Sequence, residues 1–273
     1  AAAAADGERA EAAAHLAAAR TRLDAGGHGA RGTATPRAQD PIGATYHRLL
    51  MSGRTEETAP ATVHAPSETG RFTFATARYA SGDWDSAPLV PTNLTHSLAQ
   101  YTGIAVEPEP VVVDLASDAV FDHPFLFLTG HLPVRFTEFE SRNLRSYVER
   151  GGFLFVDDHN HDIDAAFHRS VVAELGRIFG PDALQPLPND HEIYSAFFRF
   201  DDGPPTTTHE LNGWGDGLIH EELQAIVVDG RIGVLYSNKD YASEWNYHAV
   251  NKRFQALDNT RFGVNVLLYA LTR

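Results

Sequence analysis

The chain has 273 residues, 43% of them hydrophobic, and is therefore long enough to bury one sizeable α/β core. Its formal net charge of −14 disfavours phosphate backbones and anionic lipid surfaces, so nucleic acid is not an expected partner. The absence of cysteine excludes disulfides, thiolate metal sites and cysteine nucleophiles. No stretch approaches the roughly 20 consecutive apolar residues of a transmembrane helix, so we expect no direct membrane span.

Residues 1–70 have the composition of an arm rather than of a folded domain. Residues 6–24 are rich in alanine and favour a helix, whereas residues 25–70 are rich in Gly, Ala, Thr and Pro, as linkers are. Such a segment buries little apolar surface by itself, so we expect it to become ordered against a partner protein. The alternative is that it packs on its own domain. The expected docking anchors are its few large apolar side chains: Leu16, Leu23, Tyr46, Leu49, Leu50 and Met51.

The sequence starts with an alanine run and no initiator Met. This start is typical of a chain from which an export signal has been removed, and it predicts an extracytoplasmic, periplasmic location. The alternative is an artificial start.

Strand and helix signals alternate from residue 71 onward, which predicts one α/β domain over residues 71–273. Helix starts are predicted at a cap formed by Thr92 or Asn93, at the Thr137 to Glu140 capping box, and at a cap formed by Asp162 or Asp164. The predicted strands are 72–79, 111–115, 124–129, 153–156, 223–228 and 232–236, and the predicted helices include 92–101 and 259–271.

The last two of these strands flank Asp229-Gly230, a sequence typical of a type I′ hairpin turn. Strands that alternate with helices pair in parallel, because each crossover helix returns the chain to the same edge of the sheet. The sequence therefore predicts a three-layer α/β fold with a mostly parallel sheet and an antiparallel hairpin near one edge.

Polar residues follow the predicted strands where the strands end. His131 follows the third strand, Asp157 and Asp158 follow the fourth, and Lys239 and Asp240 follow the hairpin. Ligands bind outside the carboxyl ends of strands in open α/β sheets, so these segments together predict a ligand site.

The same region suggests a metal ion. His159, His161 and Asp162 offer the imidazole and carboxylate groups that bind zinc-like ions, so a divalent metal is the one cofactor that the residues suggest. The alternative is that the aspartates cap the following helix and the histidines bond to backbone groups.

Two further segments are candidate ligand contacts. Residues 209–216 begin with His209 and Glu210 and combine Gly, Trp and polar groups in a predicted loop. They do not form the zincin pattern, because Gly213 stands where the second His is required. Lys239 and Asp240 could form an ion pair beside Trp245, and this ion pair either faces a ligand or supports the fold.

Patterns of established enzyme classes are absent from the sequence. There is no Gly-x-Ser-x-Gly elbow, no dinucleotide fingerprint and no P-loop, and no pattern marks Ser170 or Ser195 as a nucleophile. The sequence therefore predicts a site without a reaction.

Several motifs carry a family resemblance. They are Arg78-Tyr79, Gly82-Asp83-Trp84, the Thr-Gly-His that ends at His131, residues 151–158 and residues 236–241. Together they make residues 72–272 resemble the bacterial family catalogued as domain of unknown function 4159. The resemblance implies a class I glutamine-amidotransferase-like or flavodoxin-like fold, and export or membrane association.

The resemblance also implies cysteines at the position of His159 and near Ser243, where this chain has none. A glutamine-amidotransferase mechanism needs a thiol nucleophile, so it cannot operate here.

Two functions follow as predictions. The first is a non-catalytic extracytoplasmic binding or assembly subunit, attached through its arm to the protein subunits of a larger, membrane-associated complex. The alternative is a metal-assisted hydrolase or small-ligand binder with its site at the carboxyl ends of the strands.

Overall fold

The computed structural model describes residues 70–159, 164–212, 222–247 and 256–272. The predicted docking anchors of the arm lie outside these ranges, as do two metal candidates, His161 and Asp162. Docking through the arm therefore stays a prediction.

Within the described ranges one sheet contains seven strands in the order β2-β1-β3-β4-β7-β6-β5. The first five strands in this order are parallel, whereas β6 pairs antiparallel with both β7 and β5. The strands are β1 (Ala75–Arg78), β2 (Val111–Asp114), β3 (Phe125–Gly130), β4 (Phe153–Asp158), β5 (Gln185–Pro186), β6 (Gln224–Val228) and β7 (Arg231–Ser237).

Helices cover both faces of the sheet, which confirms the predicted three-layer α/β fold. One face packs against α1, α5 and α6, and the other against α2 and α3. The helices are α1 (Val90–Thr102), α2 (Glu138–Glu149), α3 (Ala166–Phe179), α4 (Thr208–Asn212), α5 (Tyr241–Trp245) and α6 (Ala256–Thr272), with short 3-10 helices at Asp118–Asp122 and Glu192–Ser195.

Alternation along the central strands builds the two cores. Phe125 and Phe127 of β3 face one layer with Phe153 and Phe155 of β4, and the intervening aliphatic side chains face the other layer. The rings of Phe127 and Phe155 stack with centroids 6.0 Å apart. The continuous apolar runs are therefore those of strands buried on both faces.

Two local predictions are confirmed. Thr137 and Glu140 form a complete capping box at the start of α2. Asp229 and Gly230 connect β6 to β7 with φ angles of 52° and 78°, as a type I′ turn requires.

Several element boundaries differ from the sequence-based prediction, and three of these differences bear on helix caps or on the site. The N-cap of α1 is Leu89 instead of Thr92 or Asn93, and Asn93 donates instead to the carbonyl oxygens of Trp245 and Tyr247 at 2.7 and 2.9 Å. The N-cap of α3 is Ala165, so neither Asp162 nor Asp164 occupies that position.

The third difference bears on the site. β4 continues through Asp157 and Asp158, because both residues keep their pairing with β3. These aspartates are therefore strand residues with opposite orientations, and not part of a loop.

The strand order locates a topological switch point. The order β2-β1-β3-β4-β7 corresponds to the flavodoxin-like order when β7 is counted as the fifth strand. The chain leaves β1 for β2 on one side and reaches β3 on the other, so connections diverge at the carboxyl ends of β1 and β3. This is the switch point at which ligands bind in such sheets.

Candidate functional site

Asp83 and His131 meet at the switch point. Asp83 lies in the loop after β1, and His131 follows β3 directly. The Nδ1 atom of His131 lies 2.7 Å from Oδ2 of Asp83, and the backbone N–H groups of His131 and Leu132 donate to Oδ1 at 2.8 and 2.9 Å. The side chains of His131 and Asp83 remain 21% and 14% exposed. The bridge is thus ordered and still partly accessible.

Two glycines allow this approach. Gly82 has a φ of 72°, which turns the chain just before Asp83. A Cβ atom on Gly130 would collide with the Tyr79 hydroxyl and lie 3.0 Å from Oδ1 of Asp83. That hydroxyl donates to the carbonyl oxygen of Thr129 at 3.0 Å. The β1 loop can therefore close over the end of β3 only where β3 has no side chain.

Asp83 is stabilised as a carboxylate. Burial opposes its ionisation, but the hydrogen bond with the His131 side chain and the backbone N–H groups of Leu132 and His131 outweigh that effect and lower the pKa of Asp83. A negative charge therefore sits beside the imidazole of His131.

His159 extends this arrangement from β4. Its ring stacks on that of His131 with centroids 4.2 Å apart and an interplanar angle of 23°. Its Nδ1 atom lies 3.2 Å from Oγ of Ser86, and its backbone N–H donates to the carbonyl oxygen of Gly130 at 3.2 Å. We call Asp83, Ser86, His131 and His159 the front cluster.

Asp157 is the buried end of a second group, which lies towards β7. Its carboxyl oxygens accept hydrogen bonds from the backbone N–H groups of Tyr241 and Ala242, at 3.2 and 2.5 Å. Burial raises the pKa of Asp157 to about 7, and the bonds from Ala242, Ser237 and Tyr241 offset only part of that rise. The predicted alternative of an aspartate at a helix start thus describes Asp157, but the helix is α5 and not α3.

Asp240 precedes α5 and has a left-handed backbone conformation with a φ of 62°. Its carboxylate caps the helix by accepting from the backbone N–H of Ser243 at 3.0 Å. Burial and the neighbouring Asp157 raise the pKa of Asp240. Its two oxygens lie 3.9 Å from Nε2 of His159 and 3.8 Å from Nδ1 of His209.

Lys239 pairs with Glu210 and not with Asp240, which corrects the predicted ion pair. Its Nζ atom lies 2.5 Å from Oε1 of Glu210, and the two side chains are 3% and 20% exposed. Glu210 is held in place by the backbone N–H of Thr207, which donates to Oε2 at 2.7 Å. Trp245 is fully buried and donates to the carbonyl oxygen of Asn259 at 2.8 Å, so it does not line a ligand site as an aromatic wall. We call Asp157, His209, Glu210, Lys239 and Asp240 the rear cluster.

Some of the remaining candidate residues lie in the described ranges, and others lie outside them. Asp158 is buried at the end of β4, with its side chain on the opposite face from Asp157. His209 and Glu210 lie in α4, where the sequence predicted a loop. Among the described residues, no three His, Asp or Glu side chains are arranged to hold a metal ion. Since His161 and Asp162 lie outside those residues, the metal site stays a prediction.

Sequence reasoning missed Asp83 and Ser86 as site residues. Asp83 was noted only within the Gly-Asp-Trp motif, whose glycine is the signal that could have identified it. No sequence pattern marks Ser86, because its partner His159 is 73 residues away.

These features define a three-layer α/β protein with a polar site at the switch point of its sheet. The chain belongs to the family described as Domain of unknown function (DUF4159), whose profile matches residues 73–271. No curated protein matches the chain. None of the helices in the described part of the chain is long and apolar enough to cross a membrane.

Proposed function

We propose that the chain binds a small molecule at the front cluster, outside the carboxyl ends of β1, β3 and β4. The observation that carries the proposal is the bridge between Asp83 and His131. It joins the two loops that diverge at the switch point, and it leaves both side chains partly exposed. Because this polar pair is already ordered, it can orient a ligand without a further entropic cost for ordering the two side chains.

The front cluster offers directional polar contacts. The carboxylate of Asp83 fixes the ring of His131, and the ring of His159 lies parallel to it. A histidine held in this way presents a defined ring orientation to a ligand. The bound group is therefore a hydrogen-bonding group such as a carbonyl.

Apolar side chains flank these polar groups in sequence. Leu132 follows His131 and is 54% exposed, and Leu89 lies at the start of α1 with 38% exposure. Small-molecule sites combine such apolar surface with a few placed polar groups. The net charge of −14 favours a neutral or cationic ligand over a polyanion.

The assembly role predicted from the arm and the extracytoplasmic location remain predictions, because the residues on which they depend lie outside the described ranges. The same holds for a metal-assisted version of the site. The front cluster supports the binding function without either of them.

A fragment screen tests the proposal. We expect neutral carbonyl-containing fragments to raise the Tm of the full chain, and we expect Asp83→Asn to abolish that shift because His131 loses its charged partner. His96→Gln is the matched control, since His96 is an exposed histidine on α1. Fragments that stabilise the wild type and Asp83→Asn equally would overturn the proposal.

A further inference from the structure

We propose that Ser86 is a nucleophile for the hydrolysis of carboxylic esters, with His159 as its general base. This inference rests on the proposed binding function and adds a reaction to it. Serine chemistry is recognised by geometry, and the nucleophile, the base and a group that orients the base can come from distant parts of the chain.

The side chains of Ser86 and His159 are in direct contact. The distance of 3.2 Å from Oγ of Ser86 to Nδ1 of His159 is within the reach of proton transfer in a bound complex. Ser86 is only partly buried, so a substrate can approach its hydroxyl, whereas the side chain of His159 is 4% exposed. The nucleophile is thus accessible, and its base lies buried behind it.

Both groups are held in fixed positions. The backbone N–H of Ser86 donates to the carbonyl oxygen of Asp83 at 3.0 Å, in the turn that also positions the Asp83 carboxylate. His159 is held through its backbone by Gly130 and through its ring by the stack on His131. Rigid placement of this kind supplies much of the rate advantage of an intramolecular base.

The carboxyl group of Asp240 lies behind the base. Oδ1 of Asp240 lies 3.9 Å from Nε2 of His159, on the side of the ring opposite the atom that faces Ser86. This is longer than a direct hydrogen bond, and catalytic contacts of this type tighten when substrate binds. The carboxyl group of Asp240 is positioned by α5, and its oxygen can accept a hydrogen bond from Nε2–H, which would fix the orientation and tautomer of the His159 ring.

The reaction is then an acyl transfer to Ser86 followed by hydrolysis. Oγ forms a bond to the ester carbonyl carbon while its proton moves to Nδ1 of His159. The tetrahedral intermediate breaks its bond to the alcohol oxygen, which leaves with that proton. Water, activated by the same nitrogen, then attacks the acyl group and releases the carboxylic acid, so that Ser86 regains its proton.

A fluorophosphonate probe tests the nucleophile on the full chain. Attack by Ser86 would form an O–P bond and expel fluoride, and peptide mass spectrometry would find the adduct on Ser86. We expect Ser86→Ala to abolish the adduct and His159→Gln to slow labelling by about 10²-fold or more. Ser195→Ala is the matched control, because Ser195 is an exposed serine in a 3-10 helix.

Asp240 is a positioning residue in this scheme, and it has its own readout. We expect Asp240→Asn to lower kcat for p-nitrophenyl acetate while leaving KM unchanged, in protein that keeps a cooperative thermal transition. Equal changes in kcat for Asp240→Asn and for Ser195→Ala would overturn that role.

The outcomes separate the inference from the function on which it rests. An adduct on Ser86 that depends on His159 supports the nucleophile. Fragment binding at the front cluster without any adduct on Ser86 overturns the nucleophile and keeps the binding function. Loss of both results overturns both proposals.

Discussion

The front and rear clusters lie at the same edge of the sheet and both contain aspartate and histidine, yet they differ in how their carboxylates are held. In the front cluster, hydrogen bonds outweigh burial and lower the pKa of Asp83. In the rear cluster, burial dominates and raises the pKa values of Asp157 and Asp240. Position at a strand end therefore does not decide what a carboxylate does.

The difference separates reactive from structural chemistry. The partners of Asp157 are backbone N–H groups of α5, so its main effect is to attach that helix to the sheet. Asp83 partners a histidine that remains partly exposed. We infer that substitution of Asp157 acts on stability, and that substitution of Asp83 acts on ligands.

Asp157→Ala should produce the largest effect. It leaves the buried N–H groups of Tyr241 and Ala242 without their acceptor, and each loss costs about 1–3 kcal/mol. We expect the free energy of unfolding to fall by about 2–6 kcal/mol in urea titrations. A loss below about 1 kcal/mol would show that Asp157 does not hold α5.

Lys239→Met should be the next largest change, because it leaves Glu210 without its partner. Breaking a fully buried pair costs about 3–5 kcal/mol. Because Glu210 is partly exposed, we expect the free energy of unfolding to fall by about 3 kcal/mol or less. The double variant Lys239→Met, Glu210→Gln should recover part of that loss. Strictly additive effects of the two substitutions would indicate that the pair contributes no coupling energy.

The carboxyl groups of the two clusters should affect the pH dependence of the free energy of unfolding with opposite signs. The pKa of Asp157 is raised from 3.8 to about 7. The stability that its protonated form contributes is therefore fully present below pH about 4 and is lost as the pH rises through about 7. Over this window the wild type should lose up to about 1.4 kcal/mol per pH unit from this group. In urea unfolding of Asp157→Asn, the free energy of unfolding should depend less steeply on pH over this window, by the amount that one proton contributes.

Asp83 should behave in the opposite way. Its pKa is lowered, so its contribution is present above its unfolded pKa and is lost as the pH falls through the folded value. Asp83→Asn should therefore change the pH dependence of the free energy of unfolding only under acidic conditions. A change in that pH dependence near pH 7 would contradict the distinction between the clusters.

Asp83→Asn should have the smallest effect on stability. The exposed Leu132 lies beside the bridge, so water can replace part of the lost hydrogen bonding. We expect a loss of about 1 kcal/mol or less at pH 7, measured by urea unfolding beside His96→Gln. A loss as large as that of Asp157→Ala would make Asp83 a structural residue.

Local signals predicted much of the fold. The capping box at Thr137 and the turn at Asp229-Gly230 depend on residues close in sequence, and both were predicted correctly. The start of α1 was not, because Asn93 is used by Trp245 and Tyr247, more than 150 residues away. Tertiary hydrogen bonds thus replaced the local cap.

The site was predictable as a location but not as a set of contacts. Strand ends correctly placed His131 and Asp157 at one edge of the sheet. The partners of Lys239 and Ser86 depend on the packing of α4 and of the β1 loop, which no local pattern records. Burial, which separates the two clusters, is likewise a property of the packed fold.

A depression elsewhere on the surface offers an alternative location for a ligand. It has a volume of about 360 Å³ and lies at the amino ends of β3 and β4, away from both clusters. Its lining includes Phe121, His123 and Arg150.

The most direct test is a crystal structure of the full chain with a fragment that raises its Tm. The account predicts a fragment within hydrogen-bond distance of His131, with its carbonyl group facing Ser86. A fragment bound at the depression beside Arg150, with none at the front cluster, would contradict the account.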